Sequence, residues 1–120
     1  MAKILAVDDS ASMRQMVTFT LKGAGHDVTE ACDGVEALKV AKNQSKFDLV
    51  ISDINMPNMD GIALIKELRS LPEFKFTPIL MLTTESGTDK KSEGKAAGAT
   101  GWIVKPFNPD QLLATVGKVL

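Results

Sequence analysis

Five side chains stand where short apolar runs give out. Asp8 and Asp9 follow Lys3–Val7, Asp53 closes the run begun by Leu49, Val50 and Ile51, Thr83 follows residues 78–82, and Lys105 follows residues 102–104. Carboxylates brought together repel one another, so either their pKa values rise or a cation neutralises them. Oxygen-only donors favour a hard ion: Mg²⁺, Mn²⁺ or Ca²⁺. Mg²⁺ suits phosphate handling, because it keeps several waters and takes only a few carboxylates. No histidine or cysteine stands at these positions, which argues against zinc. A carboxylate is also a nucleophile toward phosphorus and forms an aspartyl phosphate. A metal, an ammonium and a hydroxyl would then receive the phosphoryl oxygens. Singly, each residue has a plainer explanation. Asp8 and Asp9 would suit a helix N-terminus, Thr83 a turn, Lys105 a surface position, and Asp53 the start of a loop. Their recurrence at the ends of four runs points to one site.

The elements that would position them alternate along the chain. Leu49, Val50 and Ile51 suit a strand buried on both faces, and Asn55, Pro57, Asn58, Asp60 and Gly61 supply turn chemistry after it. Met13, Met16, Val17 and Leu21 recur at helical spacing behind a Ser10 or Ser12 cap, and Gly23 and Gly25 stop that helix. Residues 28–31 read as a weak edge strand. Asp33 and Glu36 have capping-box spacing before a helix with Val35, Leu38 and Ala41 on its apolar side. Asp60 caps a third helix, whose face is Ile62, Leu64, Ile65, Leu68 and Leu71 and which Pro72 ends. Asn108, Pro109 and Gln111 read as N-cap, first position and N3 of the last helix. A β-α alternation repeated in this way predicts a parallel sheet with helices on both faces. All strand C-termini then share one edge, which collects the five residues.

The segment 86–95, SGTDKKSEGK, has no apolar residue at helical spacing. Gly87 and Gly94 would each cost a helix about 1 kcal/mol relative to alanine. A short or mobile fourth helix is the expectation here.

The 120 residues are one domain's worth, 44% hydrophobic and 24% charged with a net charge of -1. Residues 1–120 are therefore read as a single domain. There is no basic stripe, so nucleic acid is not an expected partner. Neither a signal peptide nor a membrane span is read near the start, and Cys32, the only cysteine, fits a reducing compartment and a packing role. A cytoplasmic protein is expected, and nothing demands more than a monomer. The one histidine, His26, is expected to be exposed in the turn before the second strand.

The blocks VDDS at 7–10, SDINMPNMDG at 52–61, LTTE at 82–85, GATGW at 98–102 and VKPF at 104–107 resemble response-regulator receiver domains, especially the single-domain chemotaxis regulators. The similarity covers essentially the whole chain. It implies a flavodoxin-like α/β fold, a (βα)5 three-layer sandwich with a parallel five-stranded sheet in the order 2-1-3-4-5. It implies that Asp53 is the phosphoacceptor for a histidine kinase, and that Asp8, Asp9, Asp53 and the backbone carbonyl of Asn55 hold Mg²⁺. Thr83 and Lys105 would contact the phosphoryl group, with Thr83 and Trp102 as the switch pair and a cis peptide at Lys105–Pro106. Self-phosphorylation from small donors and self-dephosphorylation are implied as well, with Asn55 and Glu85 at positions resembling fast-turnover chemotaxis members. The implied partners are a chemotaxis histidine kinase, the flagellar motor switch protein and a phosphatase.

Three other readings use parts of the same pattern. A flavodoxin-like cofactor binder would need a Ser/Thr/Gly first loop, where Asp8 and Asp9 would repel an anion. A phosphoaspartyl phosphatase would carry its nucleophile on the first strand in an Asp-x-Asp pattern. A phosphate sink or a stand-alone receiver for a non-flagellar partner would use the same chemistry with another output.

Overall fold

The computed structural model describes residues 2–44, 46–54, 56, 58–83, 88–105 and 107–120, with backbone alone for 88–92. Five strands, β1 (Lys3–Val7), β2 (Asp27–Ala31), β3 (Leu49–Asp53), β4 (Ile79–Thr83) and β5 (Gly101–Val104), alternate with five helices. The helices are α1 (Ala11–Gly23), α2 (Gly34–Asn43), α3 (Gly61–Arg69), α4 (Thr88–Ala97) and α5 (Pro109–Val119). All strand pairs are parallel and the order is β2-β1-β3-β4-β5, so the expected architecture and strand order are observed.

Side-chain alternation along each strand makes two apolar layers. Ile4, Ala6, Leu49, Ile51, Leu80 and Leu82 face Val17 and Leu21 of α1 and Leu112 and Val116 of α5. Leu5, Val7, Val50, Ile79 and Met81 face Ala37 and Ala41 of α2 and Leu64, Ile65 and Leu68 of α3. Strands β3 and β4 are buried along their whole length, whereas β2 buries only Val28 and Ala31. This is the difference between inner strands and an edge.

The caps form largely as the sequence implies. Ser10, Asp33, Asp60 and Asn108 each accept a backbone N–H of the first turn, and Asn108 and Gln111 complete a reciprocal capping box. At α2 the return contact differs, because Glu36 accepts the N–H of Cys32 rather than that of Asp33. Val35 is exposed, since Gly34, Ala37 and Ala41 define the buried side of α2.

Three further expectations change. Helix α4 runs ten residues, as long as α2, so it is not short. Among its described side chains the buried positions are Gly94 and Ala97, and these small residues let the helix backbone approach α3 and the Trp102 indole. Cys32 is exposed rather than packed, because β2 is an edge strand and its last buried residue is Ala31. His26 is half-buried, and its Nδ1 accepts the N–H of Ala2 at 3.1 Å.

The far end of α4 is fixed by Arg69 at the end of α3. Its guanidinium donates to the carbonyls of Gly98 (2.8 Å from Nη2), Phe74 (2.6 Å) and Thr77 (2.7 Å). Burial pulls its pKa below the usual guanidinium value. Gly98 has φ +115°, a conformation that favours glycine, and the Arg69 side chain fills the space where a β-carbon would project. No helix among the described residues is long and apolar enough to cross a membrane.

Candidate functional site at the carboxyl edge of the sheet

From β1 the chain passes to β2 on one side, and later enters β3 on the other. The crevice between β1 and β3 is therefore the topological switch point, where open α/β sheets bind ligands. Val7 is registered with Ser52, so Asp8 and Asp53, one residue further along each strand, lie side by side at that crevice. Carboxylate oxygens of Asp8, Asp9 and Asp53 come within 4.8 Å of one another. Asp8 and Asp53 are buried and Asp9 is exposed.

Lys105 Nζ bridges the two buried acids, 3.3 Å from Asp8 Oδ2 and 3.3 Å from Asp53 Oδ2. Its backbone N–H donates to the Thr83 carbonyl at 2.7 Å, tying the ends of β4 and β5 together. Thr83 is buried one residue beyond Leu82, the register partner of Asp53. The sheet thus brings Asp8, Asp9, Asp53 and Lys105 together, with Thr83 at the adjoining strand end.

Backbone bonds pin both buried carboxylates. Asp8 donates its N–H to Ala31 (3.2 Å), accepts the Ser10 N–H on Oδ1 (2.9 Å), and accepts Arg14 Nη1 on its carbonyl (2.7 Å). Asp53 Oδ1 accepts the Ile54 N–H at 2.8 Å, which leaves Oδ2 as the oxygen facing Lys105. Burial pushes the Asp53 pKa up; the Lys105 ammonium pulls it back, and the neighbouring Asp8 charge raises it again.

Three carboxylates against one ammonium leave the crevice negative. All its donors are oxygens, and the exposed Asp9 opens one side to water. That set fits a hard divalent ion that retains part of its hydration, such as Mg²⁺. Asn55, whose carbonyl was expected as a further ligand, lies outside the described residues, as do Glu85 and Pro106.

Trp102 is half-buried on β5, and its indole lies over Gly94 of α4. Its Nε1 is buried without a hydrogen-bond partner among the described residues. Two supporting residues escaped the sequence reading. Gly61 donates its N–H to Ile54 at 2.7 Å and packs against the Asp53 carbonyl; its signal was a glycine directly after the capping Asp60. Arg14 also escaped; its signal was a cation near a helix N-terminus, where the dipole disfavours it.

Residues 4–117 match the response regulator receiver domain family. Chemotaxis protein CheY-3 of Vibrio cholerae is 42% identical over 118 residues, covering 98% of this chain and 90% of that protein. The solved structure of chemotaxis response regulator CheY4 of Vibrio cholerae has a TM-score of 0.96 at 59% identity, covering 100% of this chain and 99% of that one. The receiver domain of the sensor histidine kinase PA1611 from Pseudomonas aeruginosa, solved with a magnesium ion coordinated in its active-site cleft, has a TM-score of 0.90 at 25% identity, covering 98% and 96% of the two chains. With its fold, its acidic crevice and these likenesses, the chain belongs to the response regulator receiver domain family and is a CheY-like response regulator.

Proposed function

We propose that Asp53 accepts a phosphoryl group from a histidine kinase in a Mg²⁺-dependent reaction, and that the protein is a chemotaxis regulator acting on the flagellar motor switch. The observation that carries the chemistry is the meeting of Asp8, Asp9 and Asp53 within 4.8 Å, with Lys105 bridging two of them. The chemotaxis assignment rests on the relatives' names.

In this reading Asp8, Asp9, Asp53 and the Asn55 carbonyl hold the ion. When bound, the ion offsets negative charge on the phosphoryl oxygens. A carboxylate oxygen of Asp53 attacks phosphorus; the phosphorus–nitrogen bond of the donor phosphohistidine breaks, and its imidazole leaves with a proton. Burial disfavours the ionised Asp53 carboxylate that must attack, and the Lys105 ammonium offsets part of that cost. Lys105 holds one phosphoryl oxygen by its ammonium and Thr83 another by its hydroxyl. The new group carries about -1.5 to -2 charge at pH 7. Thr83 moves toward it, and Trp102 answers by changing its packing against α4. Water later cleaves the acyl phosphate on the same residues, with a phosphatase partner hastening it. The cytoplasm is the compartment that fits these partners.

The test is intact-mass measurement after acetyl phosphate and Mg²⁺, under conditions that preserve acyl phosphates. The wild type gains one phosphoryl mass and Asp53→Ala gains none. Transfer from a chemotaxis kinase, then pull-down of motor-switch protein, tests the output. An unchanged mass with both donors overturns the reading. Phosphorylation without motor-switch capture would instead leave a phosphate sink or a non-flagellar partner.

A further inference from the structure

The β1–α1 turn carries two of the three acids, and one side chain ties it to the edge of the sheet. Arg14 Nη1 donates to the Asp8 carbonyl at 2.7 Å, and Arg14 Nε donates to Glu30 Oε1 of β2 at 3.0 Å. The same turn is closed by the Arg14 N–H on the Ser10 carbonyl and by the Ser10 N–H on Asp8 Oδ1. The guanidinium therefore spans from the edge strand to the backbone of a metal-facing aspartate.

The ion pair alone adds little to stability. Partly exposed ion pairs contribute little, and the Arg14 and Glu30 side chains are 20% and 40% exposed. A cation near the N-terminal end of α1 also opposes the helix dipole. Its charge next to the crevice would, by electrostatics alone, disfavour a second cation. What the guanidinium supplies is rigidity: a fork with two bonds in fixed directions, one to each segment.

We infer that Arg14, held by Glu30, is a positioning residue that gives the acidic crevice its preference for Mg²⁺ over Ca²⁺. The inference rests on the reading of Asp8, Asp9 and Asp53 as the Mg²⁺ site. Mg²⁺ demands near-octahedral geometry at short distances, whereas Ca²⁺ accepts longer and irregular coordination. A fixed Asp8 backbone holds its carboxylate in the narrow geometry. A loose one would serve Ca²⁺ nearly as well.

The test is titration of the intact, unphosphorylated protein with MgCl2 and separately with CaCl2, followed by amide shifts. Arg14→Met weakens Mg²⁺ binding about tenfold, the size typical for loss of an outer-shell partner, and changes Ca²⁺ binding by no more than about twofold. Glu30→Ala shifts the ratio in the same direction. Glu30→Gln stays near wild type, because its amide oxygen still accepts the Arg14 Nε–H. A purely structural role would lower the unfolding midpoint and leave the Mg²⁺/Ca²⁺ ratio alone. Equal losses for the two ions, no loss, or tighter Mg²⁺ binding in Arg14→Met each overturn the inference. Should Arg14→Met fail to fold, Glu30→Ala decides by the same ratio. Absence of Mg²⁺ binding by the wild type would overturn the site reading itself.

Discussion

Gly61 lies so close to Asp53 that any β-carbon at position 61 would occupy the space of the Asp53 carbonyl oxygen. The glycine is the first residue of α3, and its N–H is bonded to Ile54, so neither backbone segment is free to retreat. Gly61→Ala should destabilise the fold by about 1–3 kcal/mol, the range for forced overpacking. It should also displace the Asp53 carboxylate. Urea unfolding reads the first effect, and loss of phosphoryl uptake from acetyl phosphate by the still-folded variant reads the second.

Asp53→Asn should stabilise the metal-free protein at neutral pH. Burial raises the folded-state pKa of Asp53 above its unfolded value. Well below the unfolded-state value of about 3.9 the carboxyl is neutral in both states, so the substitution changes little there. As pH rises through the raised pKa, the wild type must carry a buried charge and loses stability that the asparagine keeps. Thermal unfolding in chelator should show the variant melting higher than the wild type at pH 7. The gap should close as pH falls below about 4. Saturating Mg²⁺ should raise the wild type more than the variant.

Arg69→Met should cost about 2–4 kcal/mol, since it strips donors from the buried or half-buried carbonyls of Gly98, Phe74 and Thr77. Hydrogen exchange should speed up at Gly98, Ala99 and Thr100, whose amides bond to Gly94, Lys95 and Ile79. Arg69→Lys should recover only part of the loss, because one ammonium cannot span both segments as a fork does.

Gly94→Ala should stabilise α4. Alanine gains about 1 kcal/mol of helix propensity over glycine. The new methyl would sit 3.4 Å from Trp102 Nε1 and 3.5 Å from Cζ2, at the edge of ordinary contact. Slower exchange across α4 with a small change in Trp102 emission is the expected outcome, read by hydrogen exchange and fluorescence. A large fall in stability would show that the indole cannot yield by a few tenths of an ångström.

Most of the sheet was legible because its strands are short apolar runs ended by polar residues, and because the caps Ser10, Asp33, Asp60 and Asn108 announce their helices. Asp8, Asp9, Asp53 and Lys105 were legible as a set for the same reason: parallel strands put their ends on one edge. The length of α4 is not legible because periodicity looks for large apolar side chains, whereas the buried positions among its described side chains are Gly94 and Ala97. The supporting shell was missed for another reason. Arg69 and one arm of Arg14 donate to the carbonyls of Asp8, Gly98, Phe74 and Thr77, and backbone acceptors leave no trace in residue type.

The Lys105 bridge between Asp8 and Asp53 already supplies part of the charge balance that a divalent ion would supply. The ammonium already serves as a resident counter-ion, so the acids do not splay apart when no metal is near. A divalent ion held by Asp8, Asp9 and Asp53 would take over part of that neutralisation, and the Lys105 ammonium would stand beside Asp53 for an anionic group. One lysine would thus serve two charges in turn, the paired acids before reaction and the phosphoryl group after it.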